Sequence, residues 1–417
     1  MQFSSITEQA LSALSGSKIR AFEFKTGQIF FGTIQKLFPN DTALVQAGGR
    51  TFAAKLQIPL ETGKGYWFQT VSTEGGIQLK MLAAEDAAAG SHEKALLTQM
   101  QLPSEKTYQS LVSYLAERGI PFTKNMAVKI GGWLKQVPDL EKGLEAAGFM
   151  LSKDLPVTKR ILTALLSAGQ GEPATNLLNR LQAALGAEHP TPLVQQLLSS
   201  LQDLQMTGGD HVTGDMLRAQ IQETVQKLGI FYEGRILQND GLTKQSELPL
   251  KALLVEFLQK EGGSPEAKEI ADQIIQKMNG QQLLSVPDAA VQHIWMEIPL
   301  SFPHFQTNAV MQWSGRQKKN GKIDSDYCKI IFYLNLQFLK ETLVEMNVQN
   351  RVVTVQVASA KEDLQAVCAP FVPALKEGLD ELNYKLSGVH FRTVKGKSVR
   401  NAAYQADSSY KGVDIRI

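Results

Sequence analysis

The spacing of apolar residues along this chain shifts from two to about 3.6 and back to two, and those shifts lay out its elements. Short alternating runs at 29–34, 43–46, 51–56, 66–71 and 77–82 are separated by Asn40-Asp41, Gly48-Gly49, Gly63-Lys64-Gly65 and Gly75-Gly76. Short strands joined by glycine turns predict a small β-barrel domain over residues 1–85, with a short helix at 5–15 ahead of its strands. The small, polar stretch 83–91 reads as a linker. From 93 to 285 the period is helical. Leu111 and Leu115, then Val128, Ile130 and Leu134, follow Pro103, while Ile161 and Leu165, then Leu177, Leu181 and Leu185, follow Pro156. Each set predicts a helical hairpin with Pro near a helix start, where its missing N–H costs little, and the two read as weak copies of one another. Further helices are predicted at 191–205, 213–229, 247–261 and 264–284, with Gly208-Gly209, Asn239-Asp240-Gly241 and Gly262-Gly263 between them.

Period two returns at Gln292 and predicts strands through Leu300 and over 310–314. Asn320-Gly321 then predicts a hairpin tip, and its neighbouring lysines read as a solvated turn that discourages edge pairing. A strand is predicted at 330–336 and a hairpin over 343–357, turning at Gln349-Asn350. Ser359-x-x-Glu362 has capping-box spacing, and Leu364, Val367, Phe371, Leu375, Leu379 and Leu382 then line one helical face. Pro370 and Pro373 predict a kink near 369–371, Asn383 an αL stop, and Val389 with Phe391 a last strand. These elements predict an α+β domain over 286–395 that completes its own core, followed by a tail at 396–417 in which Val413–Ile417 would add a late strand. The fold class is therefore multidomain α and β: a small N-terminal barrel, an all-α middle and a C-terminal α+β domain.

Within that last domain, Leu334-x-Leu336, Met346-Asn347-Val348, Val353-x-Val355-x-Val357 and the stretch from Leu375 through Leu379 to Gly388-Val389 resemble the C-terminal domain of flagellar hook-length control proteins. The resemblance covers about the last quarter of the chain and rests on apolar positions, not on catalytic residues. It implies a non-enzymatic regulator that acts with the flagellar type III export apparatus and switches which substrates are secreted. Its implied partner is the export-gate protein, or a homologue of that protein's cytoplasmic domain, with hook and hook-cap proteins as further partners. It implies a cytoplasmic location, with export through such an apparatus as a further expectation. The resemblance points to the loop between strands 330–336 and 343–348, with Phe338, Leu339 and Leu343 as partner-binding residues. Phe338 and Leu339 also fit a reading in which they continue the strand and pack beneath the helix. Family members carry a Pro and a Leu-Gly pair in this loop where the chain reads Gln337 to Thr342, so a more extended loop is expected. The family's N-terminal half is a Pro-, Gln- and Ser-rich measuring segment; a barrel and helices stand here, and only 16 Pro occur, which points to a paralogue without a ruler.

Composition narrows the alternatives. A chain of 417 residues predicts two or three domains, and a net charge of +2 demands no large polyanionic partner. Two cysteines, Cys328 and Cys368, cannot build a disulfide framework and read as small core residues in a reducing compartment. No run reaches the ~18 apolar residues of a membrane-spanning helix, and the first residues lack a secretory signal pattern. The six histidines are scattered, and no zinc, nucleophile-elbow, phosphate-loop or dinucleotide motif occurs, so no metal, cofactor or enzymatic activity is expected. A second reading has the barrel bind nucleic acid through Lys18, Arg20, Lys36, Arg50 and Lys55 with exposed aromatics such as Tyr66 or Trp67. Glu23, Asp41, Glu61 and Glu74 dilute that charge, and aromatics in a small barrel are more often its core, so nucleic acid stands behind a protein partner.

Overall fold

The computed structural model describes residues 25–48, 50–73, 76–84, 96–205, 214–237, 248–260, 262–287, 291–302, 305–318, 323–361 and 364–393. The predicted helix at 5–15, most of the linker, the Asn320-Gly321 tip and the late strand lie outside the described residues. The chain forms two compact units, Met1–Lys159 and Arg160–Ile417. The N-terminal five-stranded barrel, the helical middle and the C-terminal sheet with its helix follow the predicted fold class.

In the first unit, β1 (Ile29–Phe38), β2 (Thr42–Ala47), β3 (Arg50–Leu56), β4 (Gly65–Thr73) and β5 (Gly76–Ala84) close in the order β1-β2-β3-β5-β4. Alternation sends Phe30, Ile34, Val45, Phe68 and Leu79 inward, where all are buried. Three helices follow: α1 (Lys106–Glu117), α2 (Lys124–Leu134) and α3 (Leu140–Ser152). The α1–α2 connection is part of the barrel wall, since Ile29 N–H donates to the Phe122 carbonyl at 2.6 Å and Phe122 N–H returns to Ile29 at 3.0 Å. Beside this bridge Gly119 (φ +59°) lies against the backbone of Gly48 (φ +55°), leaving no room for a Cβ on either. The barrel expected to end at 85 therefore belongs to a body that includes α1–α3. Helix α3 escapes the apolar pattern because its buried face includes Gly143, Ala147 and Gly148; a Cβ at Gly143 would meet Leu134 at 2.6 Å.

The second unit contains α4 (Lys159–Gln170), α5 (Ala174–Gly186), α6 (Pro192–Gln205), α7 (Gly214–Leu228), α8 (Tyr232–Leu237), α9 (Leu250–Gln259) and α10 (Pro265–Leu284). It continues with β6 (Val291–Phe302), β7 (Phe305–Gln317), β8 (Ile323–Leu336), β9 (Lys340–Gln349) and β10 (Val352–Ser359), then α11 (Leu364–Cys368), a 3₁₀ turn (Ala369–Phe371), α12 (Val372–Glu381) and β11 (Lys385–Thr393). Strands β6 to β10 form an antiparallel meander, and the crossover through α11 and α12 adds β11 parallel to β10. The two helical hairpins that read as copies thus fall in different units and build no repeat stack.

Cross-strand register puts Met296, Met311, Phe332, Val344 and Val357 in one row, hence on one face of the sheet. At the β6–β7 end this face forms a single core with α5–α7, α9 and α10, in which Ile298 and Leu300 join Leu197, Leu254 and Ile274. At the β9–β11 end Val353 and Val355 pack under Leu364 and Leu379 of α11 and α12. Residues 286–395 therefore do not complete their own core, contrary to the sequence reading, because β6 and β7 depend on helices from the middle of the chain. The outer edge of β6 is sealed by side chains: Gln281 accepts from Glu297 N–H at 3.1 Å, Ser285 from Trp295 N–H at 2.9 Å, and Gln220 donates to the Ser301 carbonyl at 3.0 Å. The crossover helix breaks at Ala369–Phe371 as its prolines predict. Its apolar stripe is not all buried, for Val367, Phe371 and Leu382 are exposed. Ser359 is the buried last residue of β10 and donates to the Leu339 carbonyl at 2.8 Å, while Glu362, its partner in the predicted capping box, lies outside the described residues.

Candidate partner-contact site

Strands β8 and β9 are joined by only three residues, Gln337 to Leu339, with Leu336 opposite Lys340. Lys340 has φ +55° and supplies the left-handed residue that closes a three-residue hairpin loop. The loop is therefore tight, not extended, and a lysine holds the conformation that glycine adopts without steric cost. This geometry separates the three residues expected to bind a partner. Phe338 sits on the turn with 73% of its surface exposed. Leu339 is partly buried and packs in the cluster of Val355, Leu364 and Leu379. Leu343 is 9% exposed and lies on the opposite sheet face with Trp295, Val310, Ile331 and Tyr333. Strand alternation is the reason: Thr342 and Val344 share the helix-covered face, so Leu343 cannot.

On that opposite face, a cleft of about 410 Å³ lies between the α4–α5 connection and the ends of β7, β8 and β9. Its floor holds an ion pair, Lys277 to Glu297 at 2.8 Å, with side chains 5% and 6% exposed. Pro173 precedes α5 and has no side-chain oxygen to cap it. Capping comes from the sheet instead: Glu297 accepts from Ala174 N–H at 2.7 Å, and Asn308 accepts from Thr175 N–H at 3.2 Å while donating to Thr175 Oγ1 at 2.8 Å. A carboxylate at a helix N-terminus also complements the macrodipole, and Lys277, which further donates to the Ser167 carbonyl at 3.2 Å, compensates its charge. Each carboxylate oxygen has a partner, so the pair anchors the start of α5. Sequence reasoning passed over these residues; the signal was a charged residue inside the apolar run Trp295-Met296-Glu297-Ile298.

The barrel does not present the expected aromatic platform. Tyr66 and Trp67 are each 5% exposed: Tyr66 is core, and Trp67 packs edge-on against Phe122 with centroids 6.3 Å apart. A smaller surface exists on β1 to β3. Register aligns Phe38, Thr42 and Lys55 across the three strands, and the Lys36 ammonium lies 5.3 Å from the Phe38 ring centroid.

Among the described residues no group of three or more His, Cys, Asp or Glu is placed to hold a metal ion, and no helix is long and apolar enough to cross a membrane. Cys328 and Cys368 are free and partly buried, and burial pushes both thiols above the usual range.

Comparison with known proteins adds two likenesses. Residues 5–80 match the family of the TP0910 S1-like domain, in agreement with the five-stranded barrel. A stretch of 127 residues is 39% identical to the uncharacterized protein YlqG of Bacillus subtilis (strain 168), covering 30% of this chain and 21% of that protein. The match thus spans about a fifth of that relative's length. No solved structure matches the chain.

Proposed function

We propose that this chain is a non-enzymatic regulator that binds a protein partner through the end of its sheet bearing Phe338. The partner, on the strength of the resemblance to hook-length control proteins, is the cytoplasmic domain of a type III export-gate protein or a homologue, and the chain is a paralogue without a ruler. One observation carries the reading. A phenylalanine ring stands in water, 73% exposed, on a three-residue turn within the strand, hairpin, helix and strand that carry the resemblance. A large apolar side chain exposed in this manner gains little unless something covers it. Titration of the full chain with the export-gate cytoplasmic domain tests the proposal. Phe338→Ala should weaken binding by about tenfold or more, on the scale of an interface hot spot. Unaltered affinity would remove Phe338 from the contact.

The match to an S1-like family supports a second reading, in which the barrel binds single-stranded nucleic acid at Lys36, Phe38 and Lys55. Phosphate neutralisation requires affinity to fall steeply with salt, and Lys36→Glu with Lys55→Glu should abolish it. A salt-independent titration, or one indifferent to the charge reversals, would dismiss this reading.

A further inference from the structure

We propose that the cleft beside the β8–β9 turn binds an extended, uncharged stretch of polypeptide. The inference rests on the protein-binding reading above and supplies the chemistry of the bound segment. Three observations lead to it.

The first is continuity. Asn335 on one side of the turn and Glu341 and Thr342 on the other all line the cleft, so the strand ends that hold Phe338 in solvent also form one wall. A chain segment that covers the ring is thereby led toward the cleft.

The second is charge. Lys277 and Glu297 on the floor neutralise each other and are fixed by Ala174 and Ser167, so the floor offers no uncompensated charge to a phosphate or to an ionic side chain. Glu341 at the rim already has an interaction of its own. A ligand bound here gains from hydrogen bonds and apolar contact, not from ion pairing.

The third is the unused hydrogen-bonding capacity. Asn176 on α5 and Asn335 on β8 both line the cleft, both are exposed, and among the described residues neither side-chain amide has a protein partner. A primary amide offers a donor and an acceptor side by side, the complement of a peptide group's carbonyl and N–H. Trp295 and Val310, which also line the cleft, supply apolar surface for one side chain of the bound segment. The cleft's size also falls within the range of about 300–1,000 Å³ typical of ligand sites. Oligosaccharides use amides and aromatic rings too, but the aliphatic surfaces at Ala168 and Val310 and the continuity with a turn that exposes a phenylalanine favour polypeptide.

The test uses the full chain, the intact export-gate cytoplasmic domain, and overlapping synthetic peptides that tile that domain. Asn176→Arg and Asn335→Arg each place bulk and charge in the cleft without deleting a native contact, so melting should be unchanged. One peptide should bind the parent chain with little dependence on salt, and each arginine variant should weaken it by about tenfold or more. If the arginine variants bind peptide and domain as the parent does, or if the intact domain binds but no peptide does, the cleft proposal is overturned. Competition by a soluble oligosaccharide with no peptide binding would overturn the choice of occupant. The two readings separate cleanly: weakening by Phe338→Ala alone leaves the turn contact standing and removes the cleft, and weakening by the arginine variants alone does the reverse.

Discussion

Lys277 and Glu297 meet at 2.8 Å with almost no contact with water, and the glutamate's second oxygen closes the N-terminus of α5. Each is tolerable in the core only because of the other. Glu297→Ala should therefore destabilise the second unit by about 3–5 kcal/mol, since it leaves an unpaired buried ammonium together with an uncapped helix start. Glu297→Ala combined with Lys277→Met should recover part of the loss. Chemical denaturation of the three variants decides the point, and a double variant no better than the single one would argue against the pair's coupling.

A second buried lysine makes stability depend on pH. Lys251, with 2% of its side chain exposed, donates to Glu233 at 2.6 Å and to Gln282 at 2.9 Å, and Gln282 donates to Glu233 at 2.9 Å, linking α8, α9 and α10. Burial lowers the Lys251 pKa below its ordinary 10.5, with Glu233 offsetting part of the shift. Burial would raise Glu233, but hydrogen bonds from Lys251 and Gln282 outweigh it and bring Glu233 below 4.5. The glutamate's contribution is thus present above pH 4.5 and lost as pH falls through its lower folded value. For the lysine, the unfolded chain binds the proton more tightly, so stability rises with pH between the lowered folded value and 10.5. In urea titrations across pH, Glu233→Gln should show a shallower acid decline than the parent. Parallel acid limbs would mean the triad does not titrate as described.

Domain boundaries give a third prediction and show where sequence reading stopped. Alternation located all of β6 to β11, because each strand has at least one apolar face. It could not reveal that Ile298 and Leu300 share a core with Leu197 and Leu254, since that depends on which helices return to the sheet. Likewise Trp67 looked like an exposed aromatic until Phe122 was placed over it. The candidate site was legible only in part: the resemblance pointed to the turn with Phe338, Leu339 and Leu343 together, whereas strand parity sets Leu339 and Leu343 on opposite faces of the sheet. A fragment of residues 160–395 should unfold cooperatively, whereas 286–395 should lack a cooperative transition, because Met296, Ile298 and Leu300 would face water. Calorimetry on the two fragments distinguishes them, and a sharp transition in the shorter one would restore the boundary at 285/286.

The last prediction concerns the turn itself, where three neighbouring residues should answer differently to substitution. Phe338 makes no contribution to the core, so Phe338→Ala should leave stability within about 0.5 kcal/mol of the parent. Leu339 packs with Leu364 and Leu379, so Leu339→Ala should cost about 2 kcal/mol, toward the low end for a leucine because its burial is partial. Lys340 occupies the left-handed region at φ +55°, where an L side chain is about 1–2 kcal/mol less favourable than in right-handed conformations, so Lys340→Gly should stabilise the chain in spite of glycine's greater freedom when unfolded. The order of stability, Lys340→Gly above the parent, Phe338→Ala level with it and Leu339→Ala below, follows from one hairpin geometry. A loop that instead rearranged freely in solution would level all three, since neither the αL strain nor the Leu339 packing would persist. If Phe338→Ala proved as costly as Leu339→Ala, the ring would be packing within the chain, and the case for a partner at this turn would go with it.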